Sequence, residues 1–297
     1  MEISKVGVVG CGLMGHGIAQ VCAQAGLNVT VRDVSQERLE AGLGKIEKQL
    51  GKAVARGKME QGDADAVLAR LHPTTDYAEL ADCDLVIEAI SEDLEAKLDM
   101  WRELDGIVKE EACFATNTSS LSVADQAAAT SRPERFLGMH FFNPVQVMPL
   151  LEVVRADATG DETAALGFAV GEKLGKRTVA AGDNRGFIVN RLLVPYMFDA
   201  IRAYEAGTGS VEDIDAAMIA GASHPMGPIT LADFVGLDTL ASIGAVLVDY
   251  YGEERMDAPE TLKKLVAAGH FGRKSGRGYY DYSGDKPVAV DPNAAEA

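Results

Sequence analysis

Val6-Gly7-Val8-Val9-Gly10-Cys11-Gly12-Leu13-Met14-Gly15-His16-Gly17-Ile18-Ala19 is the stretch that decides the fold. Its first four residues are small or β-branched and read as a buried strand. Three glycines then follow at GxGxxG spacing, after which Ile18, Val21 and Cys22 recur at helical intervals. A strand that turns through glycines into a helix suits a pyrophosphate. Gly10 permits the tight turn, Gly12 lets the backbone approach the ligand, and Gly15 lets helix and strand pack closely. Leu13 and Met14 complete the loop, and the phosphates sit at the helix N-terminus. The next strand ends at Asp33, whose carboxylate can accept both hydroxyls of an adenosine ribose. Asp33 also repels a 2′-phosphate, which favours NAD over NADP, although Arg32 beside it acts in the opposite sense.

Outward from this loop, short apolar runs alternate with helical segments as far as about Asp183, the pattern of a largely parallel, doubly wound sheet. Strands are expected at Val6–Val9, Val29–Asp33, Leu85–Ala89, Phe114–Asn117, Phe136–Phe142, Leu151–Arg155 and Thr178–Ala181. The helical stretch from about Gln36 to Leu71 is longer than an ordinary crossover, so an arm projecting from the sheet is expected there. After Gly182-Asp183-Asn184-Arg185-Gly186 the β pattern stops, and Ile188, Leu192, Tyr196 and Ile201 fall at helical spacing. Pro195 should kink or break this helix. The expected fold class is α/β: a Rossmann-type domain over 1–185 with an arm at about 36–71, an all-helical domain over 186–284, and a frayed tail over 285–297.

Composition narrows the function. A net charge of −17 over 297 residues argues against nucleic acid as a partner, because phosphate backbones require a basic face. No apolar run reaches the roughly 18 residues of a membrane span. The start Met1-Glu2-Ile3-Ser4-Lys5 lacks a signal-type apolar core, so a cytoplasmic protein is expected. Cys11, Cys22, Cys83 and Cys113 show no metal-type spacing and read as buried thiols.

A catalytic group must be sought outside the cofactor motif. His16, His72, His224 and His270 lie in the glycine loop, before a proline or near turns; His140 alone sits in a β segment beyond the first half-site. A histidine beside two phenylalanines can be purely structural. However, if the chain reverses about Gln146, His140 opposes Glu152, a carboxylate otherwise isolated among Leu150, Leu151, Val153 and Val154. A carboxylate that holds one imidazole nitrogen leaves the other as a base for a hydroxyl proton, which with NAD suggests an alcohol dehydrogenase. No metal-ligand spacing occurs near His140, so a metal-free reaction is expected. Glu92 and Lys97 read on spacing alone as a solvated helical pair, and Lys274 as part of a loop charge cluster. Two rivals stay open: a dehydrogenase of a non-CoA hydroxy or sugar acid, and a non-catalytic dinucleotide-binding structural protein.

The ordered blocks GCGLMGHGIA (10–19), VIEAI (86–90), NTSSL (117–121), MHFFNPV (139–145), GFIVNRLLVP (186–195), HPMGP (224–228) and FGRKSGRGYY (271–280) resemble the L-3-hydroxyacyl-CoA dehydrogenase family, above all its short, single-function bacterial members. The resemblance covers nearly the whole chain. It implies reversible, NAD-dependent oxidation of a 3-hydroxyacyl-CoA, with 3-hydroxybutyryl-CoA the expected substrate, bound between the two domains. By resemblance His140 is the base and Glu152 its orienting acid, while Ser119 and Asn190 hold the substrate's oxygens. Asp33 is the ribose acid, and Glu92, Lys97, Ser119, Asn143 and Lys274 lie around the nicotinamide half. The arm meets CoA in this family, which points to Lys45, Gln49, Lys52 and Arg56; here the match is looser, since members often carry serine and lysine contacts where this chain has Gln49 and Arg56. Members pair through the helical domain, so a homodimer is expected.

Overall fold

In the computed structural model, which describes residues 2–292, the opening Val6–Val9 run lies in β1 (Lys5–Val9), inside the sheet and buried on both faces. The chain divides into two units, Met1–Phe187 and Ile188–Ala297. In the first, β1 leads to α1 (Gly15–Gln24), β2 (Asn28–Arg32), α2 (Gln36–Ala55), α3 (Gln61–Leu68), β3 (Leu71–Thr74), β4 (Leu85–Glu88) and α4 (Leu94–Asp105). There follow β5 (Cys113–Thr116), α5 (Val123–Ala127), β6 (Phe136–Phe141), β7 (Leu150–Arg155), α6 (Asp161–Lys173) and β8 (Arg177–Gly182). The strands form one sheet in the order β3-β2-β1-β4-β5-β6-β7-β8. Neighbours run parallel except β6 and β7, which are antiparallel.

Parallel strands covered by helices must bury both faces, and the side chains divide accordingly. Val6, Val8, Leu85 and Ile87 join one apolar cluster with Ile18 of α1 and Leu39 of α2. Val86, Phe114 and Phe136 face the other, around Trp101 of α4. The Trp101 ring centroid lies 5.1 Å from that of Phe114 and 4.9 Å from that of Phe136, and its indole N–H donates to Gln126 Oε1 at 3.0 Å.

The arm is built of two helices, and its expected end is corrected: α2 ends where Gly57, with φ +65, closes a Schellman turn, its N–H bonding Val54 O while that of Lys58 bonds Ala53 O. Leu71, expected to close the arm, instead begins β3, paired with β2 at the sheet edge. That strand was invisible in the sequence because Leu71-His72-Pro73-Thr74 buries only Leu71 and contains a proline, which only an edge strand tolerates.

The second unit comprises α7 (Val189–Glu205), α8 (Val211–Ala222), α9 (Pro228–Val235), α10 (Leu237–Tyr251) and α11 (Glu260–Ala267). Pro195 lies inside α7 without ending it. The unit is not wholly helical, nor is the tail frayed throughout. Val288–Ala289 pairs antiparallel with Tyr280–Asp281, and Val290 N–H donates to Tyr279 O. Tail residues 293–297 lie outside the described residues. Among the described residues no single helix is long and apolar enough to cross a membrane.

A buried carboxylate fastens this C-terminal ladder: Asp233 accepts from Tyr279 N–H, Tyr280 N–H and Tyr282 OH at 3.0, 2.9 and 3.0 Å. Burial pushes its carboxyl up to about 6, against the downward pull of those bonds. A raised native value means that protonated Asp233 favours folding. Its stabilisation is complete below the unfolded value and is lost as pH rises through about 6. Asp233→Asn, which does not titrate, should therefore gain roughly 2 kcal/mol on the wild type in urea unfolding as pH goes from about 4.5 to about 7.5. A pH-independent difference would refute this.

Candidate active site

The glycine loop has the shape its residue types demand. A Cβ on Gly10, at φ +99, would stand 2.5 Å from Ala89 O, and one on Gly15 only 1.7 Å from Gly10 O, so neither position admits a side chain. Around Gly12 nothing lies within 4 Å of a Cβ position, which leaves its backbone open to a ligand. Leu13 is exposed, Met14 is the N-cap of α1, and the first helical turn carries no acidic residue to oppose a phosphate. Asp33 follows β2 and is buried. Its Oδ2 accepts from Cys11 N–H and its Oδ1 from Val34 N–H, both at 2.7 Å. The carboxylate thus braces the loop, a task not evident from spacing. Burial, with Asp33 alongside, pushes the Cys11 thiol up to about 11 and keeps it inert. All four cysteines are buried. Arg32 is committed elsewhere: its guanidinium stacks 3.6 Å over the Tyr77 ring and donates to the Tyr77 hydroxyl at 2.9 Å. The loop, Gly12's open face and the acid at the end of β2 suit a dinucleotide.

The reversal about Gln146 is present in the sheet. The β6–β7 register pairs Gly138 with Val154 and His140 with Glu152. Both side chains are buried, and His140 Nδ1 meets Glu152 Oε2 at 2.6 Å. The imidazole also meets Phe142 at 4.5 Å and Phe187 at 5.4 Å between ring centroids. Asn117 Oδ1 accepts from Phe141 N–H at 2.9 Å and so ties β6 to the NTSSL loop after β5.

That loop is organised by charges the sequence misrepresented. Lys97 is not solvated: on α4 it is 1% exposed, with its ammonium 2.9 Å from Glu88 Oε1 and 2.7 Å from Glu92 Oε2. Glu92 lies ahead of α4 rather than in it, and gathers the N–H groups of Ser119 and Ser120 at 3.0 and 3.2 Å. Burial alone would raise its carboxyl, but the Lys97 charge and these bonds hold it below the ordinary glutamate value. Glu88 was missed altogether. It is fully buried at the end of β4, where it also accepts from Thr116 Oγ1 at 2.6 Å and Ile90 N–H at 2.7 Å, and burial holds its carboxyl above the usual range. The signal was available, because Glu88 stands among apolar residues as Glu152 does.

Other candidates are more scattered. Asn143 is exposed between β6 and β7. Asn190, in the first turn of α7, and Lys274 belong to the second unit, where Lys274 pairs with Asp238 at 2.5 Å. On α2, Lys45 and Lys52 are exposed, Gln49 is half-buried with its Oε1 unpartnered, and Arg56 is the exposed C-cap.

Residues 5–184 match the family model described as 3-hydroxyacyl-CoA dehydrogenase, NAD binding domain, and residues 186–282 match that of the C-terminal domain. A probable 3-hydroxybutyryl-CoA dehydrogenase of Deinococcus radiodurans is 48% identical over 278 residues, spanning 94% of this chain and 100% of the relative. The 3-hydroxybutyryl-CoA dehydrogenase of Mycobacterium tuberculosis is 47% identical over 282 residues, 94% and 99% of the two chains. The crystal structure of (S)-3-hydroxybutyryl-CoA dehydrogenase PaaH1 from Ralstonia eutropha superposes with a TM-score of 0.91 at 41% identity, covering 95% of this chain and 100% of that one. With its glycine loop, its eight-stranded sheet and its helical second unit all matched, the chain belongs to the 3-hydroxyacyl-CoA dehydrogenase family, with NAD as its cofactor.

Proposed function

We propose that this protein interconverts (S)-3-hydroxybutyryl-CoA and acetoacetyl-CoA, with His140 as the base that takes the C3 hydroxyl proton. The observation that carries the reading is the 2.6 Å contact between His140 Nδ1 and Glu152 Oε2 inside the sheet. With the carboxylate accepting from Nδ1–H, the ring is held in the tautomer whose Nε2 takes a proton, and the imidazolium that forms is stabilised. Bound NAD accepts the hydride that leaves C3. Ser119 orients the substrate's oxygen functions, and its loop is fixed through Glu92 and Lys97. Asn190 serves the same purpose, with Asn143 and Lys274 on the nicotinamide half. The substrate's CoA portion is assigned to Lys45, Gln49, Lys52 and Arg56 of the α2 face. Leu192, Phe234 and Tyr250, apolar yet exposed, supply the second unit with a pairing face for a homodimer. The enzyme is assigned to the cytoplasm.

An NADH-oxidation assay over acetoacetyl-CoA, longer 3-ketoacyl-CoAs and free acetoacetate tests the reading, with NADPH in parallel. Acetoacetyl-CoA with NADH should give the highest kcat/KM, and free acetoacetate should fall short by about a hundredfold or more, since binding energy from the CoA portion is used at the reacting carbon. Equal efficiency with the free acid would overturn the CoA assignment.

A further inference from the structure

Among the described residues Phe187 and Ser223 are the non-glycine residues with positive φ, at +47 and +56. Ser223 caps α8, where a left-handed residue is ordinary. Phe187 is different. It is a bulky aromatic that directly follows Gly186, itself at φ +78, in a conformation that crowds a Cβ.

The surroundings hold it there. Asp183 accepts from Val123 N–H at 3.0 Å and Ala124 N–H at 2.7 Å, Arg185 donates to Ser120 O at 3.2 Å, and Phe187 N–H donates to Asn184 O at 2.9 Å. The turn is therefore tied to the loop that carries Ser119. The strained residue delivers one thing to the site: a buried ring 5.4 Å from the His140 imidazole and inclined to it by 56°, with Phe142 also against that imidazole at 4.5 Å.

Strain that persists beside reacting groups points to a task. We infer that Phe187 is a positioning residue: its left-handed backbone places a ring that, with Phe142, keeps His140 in the one rotamer and tautomer in which Nδ1 faces Glu152. The inference rests on His140 being the base.

Two variants test it. Phe187→Gly adopts the backbone without a Cβ and deletes the ring, whereas Phe187→Leu keeps apolar bulk and removes only the flat surface. Both should lower kcat by about tenfold or more while the NADH dissociation constant, read by fluorescence, stays within about twofold. In 15N-histidine-labelled protein, His140, assigned by its absence from His140→Ala, should change from a single Nδ1–H tautomer to a mixture. A merely structural role would move thermal stability and leave the nitrogen shifts and kcat in place. Unchanged His140 nitrogen shifts in folded Phe187→Leu overturn the inference whatever happens to turnover, and this variant decides alone if Phe187→Gly does not fold. Shifted nitrogens with full turnover would instead indict the base assignment, which His140→Ala addresses separately.

Discussion

His140→Ala is expected to lower turnover of 3-hydroxybutyryl-CoA by about a hundredfold or more while NADH binds nearly as in the wild type. The expectation follows from geometry. His140 stands on β6 with Glu152 of β7 against its Nδ1, so its loss removes the proposed proton acceptor without touching the glycine loop or Asp33. Glu152→Gln should also slow the reaction, because an amide can present its NH2 group to Nδ1 and stabilise the wrong tautomer. Glu152 is fully buried opposite His140, so the glutamine would keep the shape of the pair and alter only its charge and its hydrogen bonding. Steady-state kinetics with a fluorescence titration of NADH separate the two steps. Undiminished turnover of the alanine variant would sink the assignment of the base.

The second large effect should be on stability. Lys97→Met leaves Glu88 buried with no cation, and breaking a buried pair on one side costs about 3–5 kcal/mol. For a domain of this size that corresponds to a fall in Tm of about 10 °C. Burial already holds the Glu88 carboxyl above its usual value, with the Lys97 charge as the main opposing influence. Without that charge Glu88 takes up a proton more readily, so the penalty should be smaller in acid than in alkali. Adding Glu88→Gln should restore part of the loss, because a neutral amide can still accept from Thr116 or Ile90. Urea unfolding of both variants at two pH values decides the matter, and a cost below about 1 kcal/mol for Lys97→Met would mean that water reaches the site. The change should be felt in the Ser119 loop too, since Lys97 steadies the Glu92 carboxylate that gathers its N–H groups.

How far the sequence could be read depended on the range of the interaction. The glycine loop was legible because its residue types and spacing are local: Gly15 abuts Gly10 O within the same βα turn, although Gly10 is also enforced by Ala89 at the distant end of β4. The strands of the central sheet were legible because burial on both faces makes them continuous apolar runs. The edge strand β3 was not, since an edge needs neither apolar residues nor a full set of N–H groups. The break between α2 and α3 is marked in the sequence by Gly57, a residue that a long helical pattern also tolerates in its interior.

The sequence by itself determined the dinucleotide loop, the positions of the sheet's central strands and, through the symmetry about Gln146, the opposition of His140 and Glu152, because each depends on residue type and short-range spacing. Tertiary structure decided what spacing cannot express. It brought Glu88 and Glu92 onto the buried Lys97 ammonium, turned Asp33 back onto Cys11, and set Phe187 against His140. The physical reason is that a charge or a ring in sequence carries no dielectric. Whether Lys97 is solvated or buried between two carboxylates depends on which strands and helices close over it, and only the folded chain supplies that environment.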